Sequence, residues 1–152
     1  MRKLVLVITL AALAATPVLA QQEPSMELTR AVIQAERRAI VEAAVKPAPE
    51  QAEKFWKIYW EYRGQVSALG DRMVALIEEY ATSEASLTDR QAERMVAESL
   101  AIQREAAELK ERYSRKLKDV LQPKQIVRWV QVENKMDAVI NYEISVSIPL
   151  AE

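Results

Sequence analysis

The absence of any cysteine or histidine from the 152 residues excludes disulfide stabilisation and Ser-His or Cys-His catalysis, and it removes the usual zinc ligands. The 21 basic and 22 acidic side chains nearly balance, at net −1, and leave no electrostatic footprint for nucleic acid. Two glycines, few aromatics and abundant Ala, Glu, Arg, Leu and Val describe a helical chain, with strand-like alternation only in the short ISVSI near the C-terminus.

Residues 1–20, MRKLVLVITLAALAATPVLA, have the pattern of a secretory signal. Arg2 and Lys3 form a basic start, Leu4 to Ala15 an apolar run, and Val18-Leu19-Ala20 a small-residue cleavage site. The run is shorter than the ~20 residues that cross a bilayer comfortably, and no Cys follows it to carry a lipid. The alternative is an uncleaved anchor. Cleavage predicts a mature domain of residues 21–152, in which 19 basic side chains face 22 acidic ones, net −3. Export without cysteine suits a bacterial periplasm better than a small disulfide-stapled secreted domain.

Four helices are predicted in chain order, near residues 25–45, 49–81, 89–120 and 123–144. The first, SMELTRAVIQAERRAIVEAAV, carries a thin stripe of Val32, Ala35, Ala39 and Ala43, and KPAP stops it because prolines disfavour helix just before them. The second carries Ala52, Phe55, Tyr59, Tyr62, Val66, Leu69, Met73, Leu76 and Tyr80 at alternating spacings of three and four, a coiled-coil-like seam. Gly64 and Gly70 lie off this seam, as tolerated residues or as a bend or close helix contact. The third places Ala92, Met95, Ile102, Ala106, Leu109, Tyr113 and Val120 on a similar seam, with Glu108-Arg112 and Glu111-Arg115 as i,i+4 pairs on a solvated face. The fourth uses Ile126, Trp129, Val130, Met136 and Ile140.

Three of these helices start in one way. In LTDRQ, Thr88 is an N-cap and Gln91 lies three residues on, so each side chain can satisfy the other residue's backbone N–H. Asp89 adds a negative charge at the positive helix end. APEQ (48–51) and QPKQ (122–125) place Pro at the first helical position and Gln at the third. A second helix of about 33 residues is roughly 50 Å long at ~1.5 Å per residue, whereas a compact globule of this size has a radius of gyration of only ~14 Å. An elongated all-α molecule follows, and a symmetric homodimer would cover both sides of its seam.

LTDRQ together with LQPKQ resembles the paired LTxxQ motifs of the Spy/CpxP family over about residues 45–152, and EKFWKIYWEYRGQV and ENKMDAVINYEISVSIPL resemble a less characterised branch of it. The resemblance implies a periplasmic all-helical protein exported on a cleaved signal, with a bent antiparallel helical hairpin that dimerises into a cradle. Spy-like members hold unfolded clients without ATP, and CpxP-like members also modulate an envelope-stress sensor kinase. Carried over as structural motif residues are Leu87, Thr88, Gln91, Leu121 and Gln125. Gln122 stands where the family has Thr, so the second capping box is expected to be lost.

No residue set in the chain points to catalysis, and no cofactor is expected. Glu78 and Glu79 are adjacent and so point different ways on a helix. Met26, Met73, Met95 and Met136 are too widely spaced for a copper site. Off the seam, Trp56 and Trp60 sit at i,i+4 with Arg63 one turn on. They read either as packing against the first or fourth helix, or as an exposed strip for a client or partner. The function that follows is an ATP-independent, chaperone-like protein holding unfolded envelope proteins. The alternatives are an adaptor binding a sensor kinase domain or, third, a metal-stress sensor, which the missing histidines disfavour.

Overall fold

The computed structural model describes residues 26–149, with side chains from Ala35 onward except that of Ser147. The secretory signal read over residues 1–20 and the side chain of Val32 lie outside the described residues. The described chain is all-α: α1 spans Met26–Val45, α2 Pro49–Ser83, α3 Asp89–Leu117 and α4 Pro123–Ser147, with one short 3-10 turn at Glu84–Ser86. At 35 residues α2 is about 52 Å long at ~1.5 Å per residue. ISVSI is helical through Ser147, and α3 stops at Leu117, short of the expected 120. None of the described helices is long and apolar enough to cross a membrane.

Two helix pairs build the molecule: α2 packs along α3, and α1 along α4. Side-chain contacts fix the directions. Arg72 of α2 meets Glu98 and Glu105 of α3, while Gln65 meets Tyr113 and Arg112, so α3 returns along α2. Arg37 meets Glu133 and Lys46 meets Gln125, so α1 and α4 also run in opposite directions. Of the two pairs expected on the solvated face of α3, Glu111 and Arg115 do join. Arg112 instead donates to Gln65 Oε1 of α2 at 2.6 Å.

The core lies where the two pairs cross. Phe55, Trp56, Tyr59 and Tyr62 of α2 form a run of ring contacts, and Tyr62 packs its ring against Tyr113 of α3 and edge-on against Trp129 of α4. Trp129, Phe55, Tyr59, Tyr113 and Leu117 are all essentially inaccessible. From α1 the core receives Val41 and Val45. The alanine stripe expected for α1 is corrected here: Ala35, Ala39 and Ala43 are exposed, and the buried face is Arg37, Val41 and Val45. An alanine removes little apolar area from water, so the valines decide the helix's rotation.

α2 is an uninterrupted α-helix through Gly64, and among the described residues nothing lies within 4 Å of where a Cβ on Gly64 would stand. Gly64 therefore serves no close helix contact.

The helix starts are stapled by glutamines. Thr88 Oγ1 accepts the Gln91 N–H at 3.4 Å, and the Thr88 N–H donates to Gln91 Oε1 at 3.0 Å. At the other two starts the cap residue has no capping oxygen in use, yet the glutamine half remains: Ala48 N–H donates to Gln51 Oε1 and Gln122 N–H to Gln125 Oε1, both at 2.9 Å. The box at Gln122 is thus halved rather than lost, because the backbone N–H needs only the third-position glutamine. Gln125 Nε2 also donates to the Lys46 carbonyl at 2.9 Å and to Gln51 Oε1 at 3.2 Å. This fixes the α1–α2 corner, where Lys46 holds a left-handed φ of 51°. Thr88→Ala, which removes one side of an exposed box, is expected to cost about 1 kcal/mol. A thermal melt superimposable on that of the parent chain would refute that role.

Candidate functional site

Two features could serve a function, and they share a boundary. The first is a buried polar knot. Glu133 of α4 is 0 % exposed, and Arg37 of α1 is 2 % exposed. Arg37 Nη1 donates to both Glu133 oxygens at 3.2 and 3.1 Å, Tyr59 Oη donates to Oε1 at 2.9 Å, and Arg63 Nη1 donates to Oε2 at 3.2 Å. One carboxylate therefore joins α1, α2 and α4. Burial works against the charge on Arg37, but the Glu133 carboxylate and Tyr59 outweigh it and raise its pKa above the ordinary arginine value. Among the described residues, Arg37 Nε, Arg37 Nη2 and Trp129 Nε1 are buried with no acceptor.

The tyrosines of the core feel the same environment. Burial first, and the Glu133 carboxylate second, push the Tyr59 and Tyr62 phenols above their ordinary value of 10.0. Their neutral forms are favoured by folding. The sign follows: above pH ~10 the unfolded chain has released these protons and the native chain has not, so stability falls as pH rises. Each phenol contributes a slope of about 1.4 kcal/mol per pH unit between its unfolded and folded values. Alkaline titration followed by phenolate absorbance and circular dichroism is expected to show two tyrosines ionising only as helicity is lost. Ionisation of all five tyrosines with helicity intact would contradict this.

The second feature is a groove of about 560 Å³ between α2, α3 and α4. Its walls are apolar: Val66, Met73 and Ile77 from α2, Ile102 and Ala106 from α3, and Ile140 from α4. The seam of α2 explains it. The first half of the seam is closed by the core, but beyond Tyr62 the residues Val66 and Met73 are only half-buried, because α4 is in little contact with α3. Arg37, Tyr62 and Arg63 line one end, and Glu78 and Glu143 also line the groove. A second hollow of about 310 Å³ shares Met73 and Ile77 with the first and runs on to Tyr80, Val96 and Leu100. Val96, Leu100, Val139, Tyr142 and Val146 are large apolar side chains that remain exposed on α3 and α4.

The residues singled out in the sequence do not form one surface. Trp56 is buried, with the Arg38 guanidinium carbon 4.9 Å from its ring centroid. Trp60 stacks on Trp56 at 5.8 Å but stays 45 % exposed. Arg63 belongs to the Glu133 knot rather than to a tryptophan strip. The motif residues Thr88 and Gln91 stand at the start of α3, whereas Gln125 lies at the α1–α2 corner next to the buried Leu121. Leu87 is half-buried. Arg37, Glu133 and the groove were missed. The available signal was an Arg on the α1 face that also carries Val41, which pattern reading assigns to solvent. Among the described residues no three carboxylates gather as a metal site. Compared with protein-family models, with curated proteins and with solved structures, the chain has no match.

Proposed function

We propose that this chain is a periplasmic, ATP-independent binding protein of the Spy/CpxP type that holds unfolded envelope proteins, working as a homodimer whose paired helices form a cradle. The observation that carries the reading is the apolar groove along the second half of α2, continued by the hollow toward Leu100. A half-open apolar channel can take successive side chains of an unfolded segment, and each contact is shallow enough to be released without an energy source. Charged residues such as Glu78, Lys110 and Glu143 border the groove and suit the polar groups of a passing chain. No residue needs to do chemistry: binding lowers the free concentration of aggregation-prone chains.

The test is light scattering of several unrelated denatured proteins diluted without ATP, with and without the chain at near-stoichiometric amounts. Suppression across clients is expected. The paired change Val74→Asp and Ile140→Asp, in the groove walls, is expected to abolish it with helicity kept, while Trp60→Ala leaves it. No suppression by well-folded protein would remove general holding and favour an adaptor that recognises one folded sensor domain.

A further inference from the structure

Holding unfolded chains requires apolar walls, but it does not explain why one end of the groove is built around buried guanidinium groups. At that end, among the described residues, Arg37, Arg63 and Lys110 meet two carboxylates, Glu133 and Asp137, which leaves one positive charge in excess. Arg37 lines the groove, is 2 % exposed, and has Nε and Nη2 buried without an acceptor among the described residues. Arg63 lines it too, commits Nη1 to Glu133, and is 15 % exposed, so it is within reach of a ligand. Farther along α2 and α4 the charges bordering the groove are acidic, Glu78 and Glu143. The groove is therefore polarised along its length, positive at the buried end and negative at the other.

We infer that the groove binds a single-chain anionic amphiphile, a long-chain fatty acid, with its carboxylate at Arg63 and its alkyl chain along Val66, Met73, Ile77 and Ile140. The dimensions fit. From Tyr62 to Ile77 the α2 axis advances about 23 Å at ~1.5 Å per residue, and one acyl chain fills half of a bilayer core, about 15 Å. A volume of about 560 Å³ falls in the range of small-molecule sites, roughly 300–1,000 Å³. A carboxylate would pair with the partly exposed Arg63 guanidinium, which gives Nη1 to Glu133, and would offset the excess positive charge. A cationic amphiphile would place its charge against the excess positive charge, and a neutral one would leave that charge uncompensated. This inference stands whether or not the groove also holds unfolded chains, since the scattering assay scores that separately.

The experiment is calorimetric titration of the chain with laurate, dodecanol and dodecyltrimethylammonium, which share one alkyl chain and differ in head group, all kept below micelle formation. One saturable laurate site is expected, at least about tenfold tighter than dodecanol, as a charge-assisted hydrogen bond requires, with the cation weakest. Arg63→Gln is expected to remove the preference for laurate while dodecanol binding stays, and Ile140→Trp, which fills the channel, to weaken all three. Equal affinity for the three head groups, absence of saturable laurate binding, or a full laurate preference in a folded Arg63→Gln chain would overturn the inference. If Arg63→Gln does not fold, the head-group comparison on the parent chain decides alone.

Discussion

Replacing Glu133 by Ala is expected to destabilise the chain by about 3–5 kcal/mol, the cost of leaving a buried charge without its partner. Glu133 accepts from Arg37, Tyr59 and Arg63, and Arg37 is too buried to turn to water. Urea unfolding of Glu133→Ala should therefore show a much lower midpoint. Arg37→Met added to Glu133→Ala is expected to recover a large part of the loss, because removing both charges replaces an unpaired ion with apolar packing. Arg63, 15 % exposed, can reach solvent in the double variant. A double variant no more stable than Glu133→Ala would show that the knot acts through packing rather than charge.

Trp129→Ala is the second large effect, at about 3–5 kcal/mol, as for other large aromatic truncations in a core. Trp129 is wholly buried, and its ring meets Tyr62 edge-on at 5.2 Å, joining α4 to α2. Trp129→Phe should cost far less. It keeps an aromatic ring against Tyr62 and removes an indole N–H that has no acceptor, so part of the lost packing is offset by an unpaired donor no longer buried. Equal losses for Ala and Phe, in thermal or urea unfolding, would mean that the indole N–H has a partner or that only the full indole fills the site.

The polar knot and the groove have opposite thermodynamic characters, and they meet at Arg37 and Arg63. The knot ties α1, α2 and α4 into one rigid end through Glu133. Beyond it α3 and α4 touch little, with the half-exposed pair Lys110 and Asp137 between them, while Arg72 ties α2 to Glu98 and Glu105 of α3. Hydrogen bonds from Arg72 hold the Glu105 carboxyl below the ordinary carboxylate range. Exposed pairs of this kind contribute little, because water and salt screen them. An end where α3 and α4 touch little, beside one tied by Glu133, is where a ligand channel can open without unfolding the core.

The sequence by itself determined the helices and the way they begin. Pro49, Thr88 and Pro123 mark three starts, and Gln51, Gln91 and Gln125 supply the capping oxygens, because capping is settled within four consecutive residues. It also determined the α2 seam from Phe55 to Tyr62, since a ring every three or four residues has no favourable place but the interior. Tertiary structure alone decided what depends on distant partners. Arg37 and Glu133 are 96 residues apart, and each read singly belongs at the surface; only their pairing makes burial tolerable. Trp56 and Trp60 share a helical face, yet one is buried and the other exposed, because a face is local while the neighbour that covers it is not. The groove has the same origin: the apolar seam of α2 is written continuously, but how far α3 and α4 close over it depends on how the two helix pairs meet.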